Sequence, residues 1–355
     1  MRYCLAPVIV LVALLSTVHA EKQAPKFEAR KIWDKAGHNA FTDLIRWNGK
    51  FYCAFRESSG HIPKDHANDG KIRVLVSEDG KKWESVALLA KDKADLRDAK
   101  LSITPDGRLM ALMGGSFYSY GKKRELIKRI GQVAFMSDPK EGFGPVRPIV
   151  IDKKVWTNID WLWRVTWKDG VGYGVVYEPN KKKKTRGLYL VKTTDGIHYE
   201  LVKTFDRPWG WVGEATVRFA PDGEMFILVR CETGQDHGFF GHAKAPYTGE
   251  WTWKRVDMRL GGPNFVRLPD GTWLMGTRYH RTKKKRDTAT VLARIHDNGH
   301  AERLVTFPSD GDTSYPGMVI YDNKLWVSYY SSHEKKASIY FAVVPLDQLM
   351  KPQER

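Results

Sequence analysis

Glu214 and Arg230 stand at nearly matched distances from one turn signal. Glu214 lies eight residues before Asp222, and Arg230 seven after Gly223. Asp-Gly between two apolar runs predicts a hairpin. Val217 and Phe219 lie on one arm, and Met225, Phe226, Ile227, Leu228 and Val229 on the other. A carboxylate and a guanidinium are therefore expected side by side at the open end of a buried hairpin. Such a pair can close a strand end as a plain ion pair. It can also do chemistry: a guanidinium grips an anion through paired N–H donors, and a carboxylate takes a proton from a nearby hydroxyl.

The elements that would position this pair repeat along the chain. Turn signals recur at Asn48-Gly49, Asp106-Gly107, Asp169-Gly170, Asp222-Gly223, Asp270-Gly271 and Asp322-Asn323. Each follows an alternating run and precedes an aromatic-rich one, and most units add a second pair of strands, with helical signals nearly absent. Four strands per unit at a period of roughly fifty residues predicts an all-β fold, a six-bladed β-propeller of four-stranded antiparallel blades. The last unit has three clear strands, so FEARKIW at 27–33 is expected to supply its fourth and close the ring beside 338–345. Residues that begin the first strand or end the second of each blade should ring the mouth of the central channel. They include His38 and Arg56, Arg97 and Asp98, Trp161, Glu214 and Arg230, Asn264 and Arg278, and Asp312, Tyr315 and Tyr330. Strand interiors read as almost wholly apolar.

The 355 residues carry a formal charge of +17. That excess points to an anionic partner and leaves open whether the KKKK run at 181–184 and the KKKR run at 283–286 are only solvated loops. Arg2, the apolar run Leu5–Leu15 and Val18-His19-Ala20 read as a secretory signal, so residues 1–20 should be removed and 21–355 form one domain in a secreted or periplasmic protein. No other stretch is long and apolar enough for stable membrane insertion. Cys53 and Cys231, which remain after cleavage, read as buried small hydrophobes. Nucleic-acid, phosphate-loop and nucleotide motifs are missing, and no cofactor is expected.

With these features the chain resembles the sialidase (neuraminidase) superfamily. Ser77-Glu78-Asp79-Gly80-Lys81-Lys82-Trp83 looks like that family's Asp box one residue short, and Thr193–Tyr199 like a weaker copy. The resemblance implies a tyrosine nucleophile, Tyr315, activated by Glu214. It also implies Arg230 and Arg278 as two members of an arginine triad for a substrate carboxylate. An acid/base aspartate is expected in the loop ESSGHIPKDHANDG, which offers Asp65 and Asp69. Trp161 and Asn264 join the expected substrate contacts. The sequence departs from the family where the first triad arginine should stand: Gly37-His38-Asn39 occupies that place, and Arg56 is an alternative at the other edge of blade one.

Three functions follow. The first is a secreted exo-glycosidase acting on a terminal acidic sugar. The second is a uronate-polysaccharide lyase or related glycosidase using His38 with Tyr315 and Arg56. The third is a glycan-binding propeller without turnover. A monomer acting on an acidic glycan or polysaccharide is expected. A cation held by His61, His66, Asp65 and Asp69 is the weaker reading of that loop, against a solvated one, and no metal is expected.

Overall fold

The computed structural model describes residues 26–63, 69–121, 124–178, 187–205, 210–232, 237–282 and 287–350. The expected signal segment, Asp65, His66 and both lysine runs lie outside the described residues. Six sheets, antiparallel but for one short outer strand, follow one another in chain order. Each begins with an innermost strand: His38–Trp47, Asp95–Ile103, Trp161–Lys168, Val212–Phe219, Asn264–Arg267 and Ser314–Tyr321. A six-bladed β-propeller results, as the repeat requires. The short 3-10 turn Leu346–Gln348 is the only helical element among the described residues. No helix among them is long and apolar enough to cross a membrane.

Glu28–Trp33 pairs antiparallel with Ser338–Pro345, Glu28 opposite Val343 and Trp33 opposite Ile339. The expected closure is therefore present, and the outer edge of blade six is covered. Blade three departs from the four-stranded expectation. Val150–Ile151 adds a fifth strand, parallel to the outermost strand at His198-Tyr199.

The hairpin turns fall into two kinds. At Asn48-Gly49, Asp169-Gly170 and Asp322-Asn323 both turn residues have positive φ, as a two-residue turn demands. At the 222–223 turn only Gly223 does, because Ala220–Glu224 forms a wider loop in which Ala220 N–H donates to Glu224 O and Gly223 N–H to Ala220 O. The innermost strands also correct the expectation of apolar interiors. They carry Asp43, Lys100, Arg164, Thr216 and Arg218, all but Arg218 buried. Arg164 grips Asp43 through two bonds of 2.8 and 2.9 Å, and Leu101 N–H donates to the same carboxylate, while Thr216 donates to Pro263 O and Lys100 to backbone carbonyls.

One irregularity repeats. The pairing of first and second strands slips between Ala40 and Asp43, Arg97 and Lys100, Leu162 and Val165, Val212 and Ala215, and Ser314 and Gly317. Five blades thus bulge at the mouth end of the innermost strand. A bulge sets two residues against one and re-aims their side chains. Phe41, Asp98 and Tyr315 take the left-handed region inside these bulges, at φ 65°, 55° and 55°. Non-glycine residues seldom adopt it unless the surroundings impose it.

Candidate active site

The bulges turn side chains of different blades toward one another at the mouth. Tyr315 Oη donates to Glu214 Oε1 at 2.5 Å. Arg230 Nη1 donates to both oxygens of Glu214, at 2.7 and 2.6 Å, and Gly262 N–H to Oε2 at 2.8 Å. Burial pushes the Glu214 carboxyl up, but Arg230 and the bonds from Arg230, Tyr315 and Gly262 outweigh it and hold the group below its usual range. The Tyr315 phenol goes the other way, raised well above 10 by burial and then by the charges of Glu214 and Asp98. The proton thus rests on the phenol, aimed at an ionised acceptor. The expected hairpin pair is real, and a third group from blade six completes it.

Tyr315 is held from all sides. Its ring packs on Phe41, Trp163 and Tyr330, with centroids 5.0, 5.3 and 5.9 Å away. Its backbone carbonyl accepts from Thr42 Oγ1. Gly262, at φ 60°, leaves the space the ring needs, since a Cβ there would fall 2.6 Å from Tyr315 Cδ2. Beneath, the Lys100 ammonium lies 4.5 Å from the centre of the Trp163 ring and 5.4 Å from that of Tyr315. Burial lowers its pKa to about 8.

Arg278 stands beside this group. Its Nε donates to Thr313 O at 2.7 Å and its Nη2 to Tyr330 Oη at 3.2 Å. Arg230 and Arg278 keep 15 % and 17 % of their side-chain surface open. Arg56 does not join them. It is wholly buried, with Nε and Nη2 on Asp95 Oδ1 at 3.0 and 2.7 Å. The partly open guanidinium from blade two is Arg97, which lies over Phe41 at 5.1 Å and donates to His61 O.

His38, at the place where the resemblance expects an arginine, is buried and directs Nε2 to Asp312 Oδ2 at 2.9 Å. Burial lowers its pKa despite that carboxylate, so the ring is neutral at pH 7. Trp161 is buried beneath the Arg129 guanidinium, 4.7 Å from its ring centre. Asn264 is internal: it accepts from Arg218 Nη2 at 2.7 Å and donates to Pro316 O at 3.0 Å, tying blades four, five and six together. Asp65 lies outside the described residues, and Asp69 accepts from Ser59 N–H within its own loop.

Three participants have no role assigned from the sequence, which places Asp98 and Asp312 at the mouth but not Phe41. Asp98 is buried, its carboxyl raised by burial against the pull of Arg97 and Lys100. Asp312 accepts from His38, from His61 Nδ1 at 2.7 Å and from Tyr330 Oη at 2.8 Å. Burial alone would raise the Asp312 carboxyl, but the two imidazole hydrogen bonds hold it far below the carboxylate range. The third, Phe41, is an apolar wall that only the bulge turns inward. His38, His61 and Asp312 place three ligand-type atoms within 4.8 Å of one another. The Asp312 carboxylate is also engaged by Tyr330, with Arg278 at 4.0 Å. A separate cleft of about 590 Å³ opens at the opposite ends of blades four and five, by the 222–223 turn, and none of the mouth residues lines it.

Against solved structures the chain superposes on a protein of unknown function from Dyadobacter fermentans DSM 18053, with TM-score 0.72 and 18% identity over 89% of this chain and 99% of that one. It also superposes on Trypanosoma rangeli sialidase in complex with the inhibitor DANA, with TM-score 0.68 and 11% identity over 92% of this chain. The fold is that of the sialidases. A Hadza microbial sialidase, Hz136, gives TM-score 0.65 at 14% identity, over 90% of this chain and 68% of that one. The chain spans 61% of the length of the Trypanosoma rangeli sialidase. No protein-family model matches the sequence. No curated protein matches it either. At these identities the likeness is one of propeller architecture, and the chemistry rests on the residues at the mouth.

Proposed function

We propose that the protein hydrolyses the glycosidic bond of a terminal acidic sugar, with Tyr315 as nucleophile and Glu214 as its proton acceptor. The observation that carries this is the 2.5 Å hydrogen bond from Tyr315 Oη to a Glu214 carboxylate kept ionised by Arg230. An anionic nucleophile would be repelled by a carboxylate on the sugar, whereas a phenol is neutral until its proton leaves. Arg230 and Arg278 supply guanidiniums of the kind that grip such a carboxylate, and Arg97 adds a third at the rim. Two structural neighbours are named as sialidases, so sialosides are the first substrates to try. The basic start and apolar run of residues 1–20 support export, and the two Ser/Thr-x-Asp-Gly turns support a reading of those segments as Asp boxes.

Incubation with 4-methylumbelliferyl sialoside and glucuronide tests this reading. The native protein should release fluorophore from one of them with retained anomeric configuration. Tyr315→Phe should lower kcat by at least about 10³, with binding of the free sugar changed less than about threefold, because only the hydroxyl is lost. Product with new ultraviolet absorbance from a conjugated double bond would instead mean elimination, the reaction of a uronate lyase. His38 keeps its lone pair on Nδ1, which is buried, and so it offers that alternative no accessible base.

A further inference from the structure

We infer that His61, backed by Asp312, is the proton donor to the leaving group in the reaction proposed above, on which this inference rests. Departure of an alcohol from a sugar requires a proton on the glycosidic oxygen, from a group that can give it up and take it back near neutral pH. Among the described residues, five carboxyl groups near this part of the mouth are already engaged or enclosed. Glu214 is occupied by Arg230, Tyr315 and Gly262, Glu57 by Trp33 and Arg73, and Asp69 by the backbone of Ser59. Asp98 is buried, and Asp312 is enclosed by three donors.

His61 differs from all of these. Its side chain is 52% exposed, and its ring packs edge-on against Phe41 at 5.3 Å, the same phenyl that packs on Tyr315. Imidazole and phenol thus share one wall of the mouth. A carboxylate oxygen can only accept, so the 2.7 Å contact with Asp312 fixes the proton on His61 Nδ1. Nε2 has no hydrogen-bond partner among the described residues. Asp312 is itself anchored, by Tyr330 Oη on its other oxygen and by its own N–H donating to Ser332 Oγ at 2.8 Å. A half-exposed ring is thereby held in one tautomer and one orientation, the role a carboxylate plays behind a working imidazole.

The steps balance. As Tyr315 Oη bonds to the anomeric carbon, its proton passes to Glu214, and the electron pair of the breaking bond stays on the glycosidic oxygen, which takes the Nε2 proton of a doubly protonated His61 imidazolium and leaves the neutral Nδ1–H form with Nε2 free to accept. Water then attacks the same carbon and gives its proton to Nε2. The carbon–tyrosine bond breaks, and the tyrosine oxygen recovers its proton from Glu214. His61 ends as it began.

The test pairs leaving groups. Alcohols such as lactose need the proton, while 4-nitrophenol leaves without it. With lactosyl and 4-nitrophenyl glycosides of sialic acid and of glucuronic acid, His61→Gln should lower kcat/KM about 10²–10⁴-fold on the lactoside and less than about tenfold on the nitrophenyl compound. Equal losses on both substrates, or none on either, would overturn the assignment of His61 alone. So would activity restored by added zinc and abolished by a chelator, which would make His61 a ligand. Tyr315→Phe should lose both substrates. A native protein that hydrolyses none of the four compounds sinks the glycosidase reading and His61's role together. Because His61 is half-exposed on a loop, the melting temperature of His61→Gln should match the native one.

Discussion

Lys100 shows what the mouth costs at the scale of one residue. It is buried under Tyr315 and Trp163, its nearest hydrogen-bond acceptors, Ala99 O and Thr42 O, are 3.3 and 3.5 Å away, and burial lowers its pKa from 10.5 to about 8. An unfolded chain would hold that proton up to its ordinary pKa. Between pH 8 and 10.5 the unfolded state therefore binds more protons than the folded one, and stability from this group rises with pH. Below pH 8 the penalty is present in full, on the order of 3 kcal/mol at about 1.4 kcal/mol per pKa unit. Lys100→Met should therefore gain most over the native protein near pH 7, and lose that advantage as pH rises through 8 to 10.5. Melting curves of both proteins across that range check the sign. A difference that is flat with pH would mean the ammonium is not desolvated as the structure has it. Activity should fall in the variant, because a positive charge near the Tyr315 ring favours the phenolate that forms during attack.

At the scale of the element, two turns bind neighbouring blades. In Ser77–Trp83, Gly80 N–H donates to Ser77 Oγ, Lys81 N–H to Asp79 Oδ1, and Trp83 Nε1 to Gly80 O. Thr193–Tyr199 repeats the pattern with Thr193, Asp195 and Tyr199. The first turn seats on blade six: a Cβ on Gly80, at φ 69°, would lie 2.8 Å from Trp326 and 2.9 Å from Phe341. Gly107, at φ 82°, has open space around the same position. Both alanine variants carry the left-handed strain of about 1–2 kcal/mol, but only Gly80→Ala adds overpacking of about 1–3 kcal/mol. Its melting temperature should fall several degrees further than that of Gly107→Ala, and equal falls would mean the turn is not a blade contact.

Turn pairs and strand alternation made the six units and the Glu214–Arg230 hairpin legible, since both depend on local pattern. Tyr315 was reachable through its likeness to a known position. The bulges were not legible: a one-residue slip leaves no mark in composition, yet it turns Phe41 into the mouth and gives Asp98, already placed there, a left-handed backbone. Asp312 was placed at the mouth, but its partners His38 and His61, more than 250 residues away in sequence, were not legible. Arg56 could be placed at a strand end, but only packing shows that Asp95 encloses it.

For the whole molecule, closure rests on one strand against a net charge of +17. Removing residues 28–33 would bare the Ser338–Pro345 edge, with its unpaired backbone groups and its Ile339 and Phe341 side chains. Such edges recruit other chains. Like charges oppose that association, but at 0.15 M salt they are screened beyond about 8 Å. The truncated protein should stay dispersed at low ionic strength and self-associate as salt rises, which light scattering would follow; the intact chain should remain dispersed throughout. Association independent of salt, or none at all, would show that the strand does not protect the edge.

The same pairing sets an order in time. Glu28 meets Val343, and Lys26 N–H donates to Gln348 Oε1 at 2.6 Å, so the first described strand to be synthesised has its partner among the last. Blades one to five can form as the polypeptide lengthens, but blade six must wait for both ends. Until then the nascent chain is an open arc with one orphan strand, and every intermediate lacks the blade that carries Tyr315. The cluster of Tyr315, Glu214 and Arg230 is complete only when the arc becomes a ring.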